Sequence, residues 1–414
     1  MPLNLPSQIP KPNRQRLAVH VVPYVERALR DGHPWLFESA ITRINRNGRP
    51  GDVAVVFDRK NRFLVAGLYD PASPIRVRLL VHREPQEISR ELFAARMAVA
   101  FQRRLPLLES GTDGYRLIHG ANDGMPGIVI DRYAQTYVLK LYSAAWVPYL
   151  GLLVDELVRL AAPERVVLRL SRQLEKDPGT LYGLADGQMI LGSPPEGLVE
   201  FIENGLLFEA DVLQGQKTGF FLDQRENRSR VEGLANTRIV LNAFSYSGGF
   251  SLYAARGGAV AVTDIDQSSH ALAASERHFE LNERFPKVAR AKHEIIQGDV
   301  FAVLPDLAEQ GFRYDLVILD PPAFAKRQDE VDRALAAYGR LSRLGLAVLK
   351  PGGILVASSC SSRVTAESFN ATVHQAANDL GRPLAEIERT GHALDHPIGF
   401  KEGAYLKTLF AYAP

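Results

Sequence analysis

The stretch that most constrains the fold is residues 238–249, Arg-Ile-Val-Leu-Asn-Ala-Phe-Ser-Tyr-Ser-Gly-Gly. Its apolar run at 239–241 predicts a buried strand, and Gly248-Gly249 opens into a stretch that favours a helix. A strand, a glycine loop and a helix in this order form the ligand crevice of an open α/β sheet. The sequence therefore predicts a doubly wound α/β domain with a ligand beside this loop.

The chain after residue 238 alternates between strand and helix patterns. Strands are predicted at 239–241, 260–263, 294–297, 316–319 and 354–358, and helices at roughly 249–256, 268–282, 301–309 and 329–348. Such alternation implies a parallel sheet with right-handed crossovers, and Ser268 or Ser269 is expected to cap the second helix. Two further strands are predicted at 386–388 and 405–413.

The chain has 414 residues, which is too many for one ordinary core, so two or three domains are expected. Residues 1–16, which contain several prolines, are predicted to be a disordered tail. Short strand patterns predict a small β-barrel domain at 17–83, and a helix at 87–105 enters a middle α+β domain at 84–196. Residues 197–414 form the α/β domain, in which Asn204-Gly205 predicts a hairpin turn.

Composition excludes several classes of protein. The single cysteine, Cys360, excludes an internal disulfide and a cysteine-rich metal site, and no metal is predicted. No window approaches the roughly 18 continuous apolar residues of a membrane span. The N-terminus lacks the charged start and apolar core of a secretory signal, so we expect a cytoplasmic protein.

Positive charge is concentrated near the start of the chain. Residues 1–105 hold 18 Lys and Arg against 9 Asp and Glu, a net charge of +9, whereas the whole chain carries +2. Arg76 and Arg78 lie on one face of a predicted strand, because side chains alternate along a strand. A basic surface attracts a phosphate backbone, so both arginines are candidate RNA contacts. A solvated rim around a barrel explains the same charges equally well.

Polar residues follow four strands of the predicted sheet. Asn242, Asp266, Asp299 and Asp320 come after successive strands, and ligands bind at the carboxyl ends of such strands. Asp266 has the spacing of a carboxylate that accepts hydrogen bonds from ribose hydroxyls, and Asp299 could accept from an adenine amino group. Helix capping explains Asp299 about as well. The loop lacks the full glycine pattern of a pyrophosphate site, which suits a ligand without phosphate, such as S-adenosylmethionine.

Residues at the ends of two predicted strands are candidates for substrate binding and catalysis. Asp320-Pro321-Pro322-Ala-Phe324 predicts a stiff rim with an aromatic side chain, which suits a planar base. Cys360 is flanked by serines at the end of the fifth strand, where a thiolate could attack an electrophilic carbon. A small buried hydrophobe is the ordinary alternative for a free cysteine.

One further segment combines glycines, two phenylalanines and a polar run. It is Gly-Gln-Lys-Thr-Gly-Phe-Phe-Leu-Asp-Gln-Arg-Glu-Asn-Arg at residues 215–228, directly before the first strand of the sheet. We interpret it either as a buried turn or as a ligand-facing segment over the crevice.

With these residues in place, the chain resembles the RlmI-type methyltransferases, which form 5-methylcytosine in bacterial large-subunit ribosomal RNA. Gly-His-Pro-Trp at 32–35 is similar to the start of the family's PUA domain, an RNA-binding barrel. Leu-Ile-His-Gly-Ala-Asn-Asp-Gly-Met-Pro-Gly at 117–127 is similar to its middle domain. Residues 215–225, 244–250, 320–324 and 358–361 are similar to its methyltransferase motifs. The resemblance implies a Rossmann-like class I methyltransferase sheet in the last domain.

The resemblance also implies roles for individual residues. It places S-adenosylmethionine at Phe221, Arg225, Asn242, Phe244, Ser245, Tyr246, Gly248, Asp266, Asp299 and Asp320. It places Asp320 beside the methyl group and the base, makes Cys360 the nucleophile, and leaves Pro321, Pro322 and Phe324 for the target base. Asn242 departs from the acid that is usual at its position, so weaker cofactor binding is expected.

Three hypotheses follow. The first is a cytosine-5 methyltransferase of large-subunit ribosomal RNA in which the Cys360 thiolate adds to carbon 6. The second is an RNA methyltransferase acting on a guanine nitrogen, for which Cys360 is dispensable. The third is an RNA-binding assembly factor with a vestigial cofactor pocket. RNA is the expected partner in each, no membrane is involved, and a homodimer is allowed.

Overall fold

The computed structural model describes residues 2–414, which divide into two compact units. The first unit contains the chain up to Gly205 together with Glu209–Leu222 and Leu394–Phe400. The second unit contains Leu206–Phe208, Asp223–Ala393 and Lys401–Pro414. The two predicted N-terminal domains therefore fall within one unit, and a short segment near the C-terminus belongs to it as well.

A six-stranded sheet begins the first unit. Its strands are β1 (Leu17–Val21), β2 (Trp35–Phe37), β3 (Ile41–Ile44), β4 (Val53–Phe57), β5 (Phe63–Tyr69) and β6 (Ile75–His82), with helix α1 (Glu26–Arg30) between the first two. Their order is β2-β6-β5-β4-β1-β3. Alternate side chains such as Leu17, Val19, Ala54 and Val56 are fully buried in its core, which confirms the small β domain predicted from the strand patterns.

A five-stranded sheet with helices follows. Its strands are β7 (Gly114–His119), β8 (Ile128–Tyr133), β9 (Thr136–Leu141), β10 (Arg165–Leu170) and β11 (Met189–Leu191), and its helices are α2 (Arg90–Glu109), α3 (Leu150–Ala161) and α4 (Arg172–Glu175). Helix α2 continues past Pro106, where the sequence predicted an end, and Leu107 in its last turn is buried in the core. Packing of that turn outweighs the missing backbone donor of the proline.

Residues 2–16 contain no helix or strand, yet they are held in place. The Asn4 backbone N–H donates to the carbonyl of Ile190, and the Asn4 side chain donates to the carbonyl of Met189. Leu3, Leu5 and Ile9 pack against the core of the second sheet. The prediction of a disordered tail is corrected, because its three apolar side chains find a partner that composition did not reveal.

Two short strands, β12 (Val199–Glu203) and β13 (Leu206–Ala210), lie where the chain passes from the first unit to the second. Asn204 and Gly205 between them have φ values of 49° and 79°, as the predicted two-residue hairpin turn requires.

A seven-stranded sheet dominates the second unit. Its strands are β14 (Ile239–Ala243), β15 (Ala261–Asp266), β16 (Lys292–Gln297), β17 (Tyr314–Leu319), β18 (Leu349–Ser359), β19 (Ala385–Thr390) and β20 (Lys407–Ala413), in the order β16-β15-β14-β17-β18-β20-β19. The five strands from β14 to β18 are parallel, whereas β20 pairs antiparallel with both β18 and β19. The predicted open α/β sheet is confirmed, and its last strands are antiparallel.

The helices of this unit flank the sheet. They are α5 (Arg225–Leu234), α6 (Gly249–Gly257), α7 (Ser269–Leu281), α8 (Pro286–Arg290), α9 (Val300–Glu309), α10 (Val331–Val348) and α11 (Ala366–Asn378). Ser268 caps α7 as predicted, because its side chain accepts from the backbone N–H of Ala271. The sequence patterns did not predict α5, α8 or α11. The register places Ala243 beside Leu319 and Leu319 beside Ala357, so the carboxyl ends of β14, β17 and β18 share one edge.

Candidate active site

The loop between β14 and α6 is strained. Phe244 and Tyr246 have positive φ values of 61° and 49°, which side chains other than glycine rarely adopt outside functional loops. Gly248, with a φ of 70°, leads into α6. A Cβ atom there would lie 1.8 Å from the Oγ of Ser275 and 3.0 Å from a carboxyl oxygen of Asp264. The loop therefore needs glycine both for its conformation and for space.

Beneath this loop a buried carboxylate organises the strand ends. Asp264 is fully buried and accepts hydrogen bonds from Ser251, from Ser275 at 2.6 Å and from Asn242 at 3.1 Å. His293 lies 2.9 Å from the same carboxylate. The Asn242 amide also donates to Ser251 at 2.9 Å, so its Nδ2 is committed to this network. Asn242 thereby joins β14 to β15 instead of pointing its amide donor at a ligand.

Two buried polar atoms at this edge lack hydrogen-bond partners among residues 2–414. They are Oδ1 of Asn242 and Oγ of Ser245. Buried polar groups almost always have a hydrogen-bond partner. Two buried oxygens without one, beside a strained loop, are therefore consistent with a site for a polar ligand. Asp266, at the end of β15, accepts from the backbone N–H groups of Tyr246 and Ser268, both at 2.9 Å. Each carboxylate oxygen keeps a second lone pair, which ribose hydroxyls can use.

Half-buried aromatic rings continue along the same edge. The ring centre of Phe301 lies 6.3 Å from that of Phe244 and 6.2 Å from that of Phe324. The ring centres of Phe324 and the buried Tyr338 are 4.8 Å apart. Asp299 caps α9 directly before Phe301, accepting from its N–H at 3.0 Å. The capping alternative for Asp299 is thus correct, and the exposed carboxylate also stands beside an apolar surface that suits an adenine ring.

Asp320 is held by a chain of hydrogen bonds. Gln224 donates to its Oδ1 at 2.9 Å and accepts from the Asn227 amide at 2.6 Å. Asn227 also donates to Thr408 at 3.0 Å and accepts from Thr390 at 2.6 Å. Gln224 and Asn227 are both buried, so these bonds fix which way each amide points and direct the Gln224 Nε2 donor at the carboxylate.

Cys360 follows β18 directly. Its half-buried sulfur lies 3.9 Å from the carbonyl oxygen of Pro321, the residue after Asp320. Pro321 is buried and Pro322 is exposed. The sulfur therefore lies near the loop after β17, and the role of Cys360 as nucleophile stays a prediction. Tyr338, from α10, shares hydrogen bonds with Ser359 and Ser361 on either side of Cys360, and burial raises the pKa of its phenol.

Two further residues that were predicted to bind the cofactor, Arg225 and Phe221, contact other side chains of the protein. Arg225, the first residue of α5, is buried and pairs with Glu226. Phe221 belongs to the first unit, where the Lys217 ammonium lies 4.1 Å from its ring centre.

The two arginines of β6 are held inside the first unit. Arg76 pairs with Glu38, and its side chain is 11% exposed. Arg78 is buried, donates to the carbonyl of Ile75 and lies 3.5 Å from Asp70. Burial lowers the pKa of Arg78 to about 10. A structural role fits Arg78 better than the RNA contact that strand alternation predicted, because its guanidinium group is withdrawn from solvent.

Four residues of the candidate site were not predicted from the sequence: Gln224, Asn227, Asp264 and Phe301. Gln224 and Asn227 lie in the polar run at 215–228, which the sequence marked as unusual. Asp264 is a charged residue inside an apolar strand, a signal that could have been noticed.

Comparisons with known proteins identify the family of the chain. A family model of S-adenosylmethionine-dependent methyltransferases matches residues 185–387, and a model of PUA-like domains matches residues 19–82. The chain is 50% identical over 406 residues to a ribosomal RNA large subunit methyltransferase of Deinococcus radiodurans, covering 97% of this chain and 98% of that protein. It is 36% identical over 391 residues to ribosomal RNA large subunit methyltransferase I of Aliivibrio fischeri, covering 92% and 96%.

Solved structures show the same fold. An S-adenosylmethionine-dependent methyltransferase from Streptococcus mutans matches with a TM-score of 0.80 at 22% identity, over 95% of this chain and 99% of that one. A methyltransferase complexed with S-adenosylhomocysteine matches with a TM-score of 0.81 at 22% identity, over 96% and 99%. No helix in residues 2–414 is long and apolar enough to cross a membrane. Because the curated relatives match over nearly their full length, the chain belongs to the family of S-adenosylmethionine-dependent ribosomal RNA large subunit methyltransferases.

Proposed function

We propose that the protein methylates carbon 5 of a cytosine in large-subunit ribosomal RNA through a covalent adduct between Cys360 and carbon 6. The observation that carries this proposal is the position of the Cys360 sulfur, 3.9 Å from the carbonyl oxygen of Pro321 in the loop that begins at Asp320. Methylation of a nitrogen needs no thiol, since a nitrogen lone pair is already nucleophilic. A cysteine at this position is useful when the acceptor is a pyrimidine carbon.

The residues at the strand ends fit S-adenosylmethionine. Asp266 would accept from the ribose hydroxyls, and Asp299 with Phe301 would hold the adenine ring. The unpaired oxygens of Asn242 and Ser245 would receive polar groups of the same molecule. When bound there, S-adenosylmethionine supplies an electrophilic methyl group.

Cys360 prepares the acceptor carbon. Its thiolate adds to carbon 6 of the cytosine, and the electron pair of the 5,6 double bond moves so that carbon 5 becomes nucleophilic, as in an enamine. After methylation, carbon 5 loses its proton to a base, the double bond forms again and the thiolate leaves. Asp320 and the rigid Pro321-Pro322 rim hold the base beside the sulfur during these steps.

The first unit would supply affinity for RNA. Residues 1–105 carry a net charge of +9, which favours a phosphate backbone. A base must leave its stack to reach a sulfur at the sheet edge, at a cost of a few kcal/mol, and this cost is lowest in single-stranded RNA.

Replacement of the nucleophile tests the mechanism. Cys360→Ala should abolish methyl transfer to unmethylated large-subunit ribosomal RNA while calorimetry still detects S-adenosylmethionine binding. Nucleoside mass mapping of the RNA, with and without the protein, should find the new methyl group on cytosine. A methyl group on guanine, or full activity of Cys360→Ala, would instead support a nitrogen methyltransferase. Absence of cofactor binding by the wild type would support an assembly factor.

A covalent trap gives an independent result. RNA that carries 5-fluorocytosine has no proton at carbon 5 to lose, so it should remain attached to the wild-type protein after methylation. The adduct should be stable in denaturing gels and absent from the Cys360→Ala variant.

A further inference from the structure

Lys407 is a buried cation that the mechanism above does not use. It begins β20 opposite Ser359 in β18, and it is 6% exposed. Its Nζ donates to the carbonyls of Ser361, of Val364 at 2.7 Å and of Tyr405 at 3.1 Å. Three carbonyl acceptors match the three protons of an ammonium group, whereas a neutral amine would turn its lone pair toward one of them. The geometry therefore requires a charged Lys407.

This ammonium has no carboxylate partner within ion-pair distance among residues 2–414. A buried charge without a counter-ion is costly, and carbonyl dipoles offset only part of that cost. Burial lowers the pKa of Lys407 to about 8, and the charge on Cys360 acts in the opposite direction. Two of its acceptors, Ser361 and Val364, belong to the turn that begins at Cys360. The sulfur and the ammonium are thus electrostatic neighbours.

We propose that the buried ammonium of Lys407 is the counter-ion of a Cys360 thiolate and keeps the nucleophile ionised before the target base arrives. This inference rests on the proposed role of Cys360 in methyl transfer. Lys407 acts as a positioning residue, because its protons are committed to carbonyls and it influences the sulfur through charge alone. Ionisation in advance removes the need for a separate base that would deprotonate the thiol.

Three titratable groups near Cys360 come from different elements. Lys407 of β20 and Tyr338 of α10 interact electrostatically with the cysteine, and Asp320 precedes Pro321, whose carbonyl oxygen the sulfur contacts. The Tyr338 phenol has a raised pKa and stays neutral. The Asp320 carboxylate disfavours a second negative charge nearby. Of the three groups, Lys407 is the one that stabilises a thiolate.

Alkylation of the thiol tests this proposal directly. Cys360 is the single cysteine, so addition of iodoacetamide to the intact protein, followed by mass spectrometry, reports on this sulfur alone. The pH dependence of the alkylation rate gives the thiol pKa, which should lie below the ordinary value of about 8.5 in the wild type. Lys407→Met should raise that pKa by about 1 or more and slow alkylation at pH 7 by about tenfold. Lys407→Arg should restore most of the wild-type behaviour.

A matched control separates this effect from general loss of a lysine. Lys350 lies near the other end of β18 and pairs with Asp315 at 2.8 Å, so Lys350→Met should leave the thiol pKa unchanged. An unchanged pKa in a folded Lys407→Met variant would overturn the proposal. If that variant does not fold, a wild-type thiol pKa at or above about 8.5 would overturn it without any substitution.

The alkylation experiment uses neither RNA nor cofactor. A negative result for the role of Lys407 can therefore be distinguished from a negative result for the proposed function. Full activity of Cys360→Ala would refute the covalent mechanism and leave the thiol pKa as measured. An ordinary thiol pKa with an inactive Cys360→Ala would refute only the role of Lys407. The pH profile of methyl transfer by Lys407→Met should move to higher pH, a change that a purely structural lysine would not produce.

Discussion

Gln224→Met removes the hydrogen bond to Asp320 at the centre of the candidate site, together with the one that Gln224 accepts from Asn227. The Gln224 Nε2 group lies 2.9 Å from the Asp320 carboxylate, and the side chain is 4% exposed. Methionine has a similar length and fills the same space without a donor. Asn227 keeps its bonds to Thr408 and Thr390 in the variant, so the surrounding network retains most of its contacts.

The expected effect follows from the charge on the acceptor. A hydrogen bond to a charged group contributes about 1.5–3 kcal/mol. Without it the Asp320 carboxylate loses a bond that orients it, so we expect kcat to fall by roughly 10- to 100-fold. The KM for RNA and the affinity for S-adenosylmethionine should change by less than about threefold, because the lost interaction orients a group at the reacting atoms.

The assay is transfer of a tritiated methyl group to unmethylated large-subunit ribosomal RNA, with kcat and KM determined separately. Gln375→Met is the control, since Gln375 is an exposed glutamine of α11 that bonds only to Asp379 in the described part of the chain. In a double-mutant cycle, Gln224→Met should add little to the loss caused by Asp320→Asn. Wild-type kcat in a folded Gln224→Met variant, or fully additive losses, would refute this account of Asp320.

Three further predictions concern the cofactor edge and the first unit. Gly248→Ala should weaken S-adenosylmethionine binding in calorimetry by at least about tenfold, because a Cβ atom at φ 70° would meet Ser275 and Asp264; unchanged affinity would show that the loop adapts. Asn242→Asp should not strengthen binding, because it replaces the donor to Asp264 with a second buried carboxylate, and thermal denaturation should show a destabilised protein. Arg104→Met should lower the free energy of unfolding in urea by about 3–5 kcal/mol, since the buried guanidinium pairs with Asp123 at 2.6 Å and also donates to the carbonyl of Asp395. A loss below about 1 kcal/mol would show that Arg103, which also pairs with Asp123, compensates.

The sequence pattern predicted the centre of the sheet in the second unit well because β14, β17 and the second half of β18 are buried on both faces. Strand β14 is apolar or small at every position except Asn242, so it stands out against the polar helices around it. Helix α5 was missed for the opposite reason. Its sequence, Arg-Glu-Asn-Arg-Ser-Arg-Val-Glu-Gly-Leu, has only two large apolar residues, and Arg225, Asn227 and Arg228 are buried together with the valine. Hydrogen bonds and ion pairs hold this helix, and hydrophobic patterning cannot detect them.

The candidate site residues that lie at the end of a parallel strand, or directly after one, could be predicted from the sequence. Asp266, Asp320 and Cys360 lie at the carboxyl edge because parallel strands bring their ends together. The residues that orient them were not predictable. Gln224 and Lys407 come from distant parts of the sequence, and their roles depend on pairing that only the folded chain creates. Lys407 did carry a local signal, since it is a charged residue in a strand that is otherwise almost entirely buried.

Capping and ligand binding are compatible roles for the acids at this edge. A carboxylate offers about four lone-pair positions, and a helix cap uses one of them. Oδ1 of Asp299 accepts from the N–H of Phe301, and the two carboxylate oxygens of Asp266 accept from the N–H groups of Tyr246 and Ser268. These bonds hold each carboxylate in one orientation before a ligand arrives, which lowers the entropy cost of binding. Capping is therefore one way in which the protein orients its acceptors before a ligand binds, and the same reasoning extends to Asp320, which accepts a hydrogen bond from the buried Gln224 side chain.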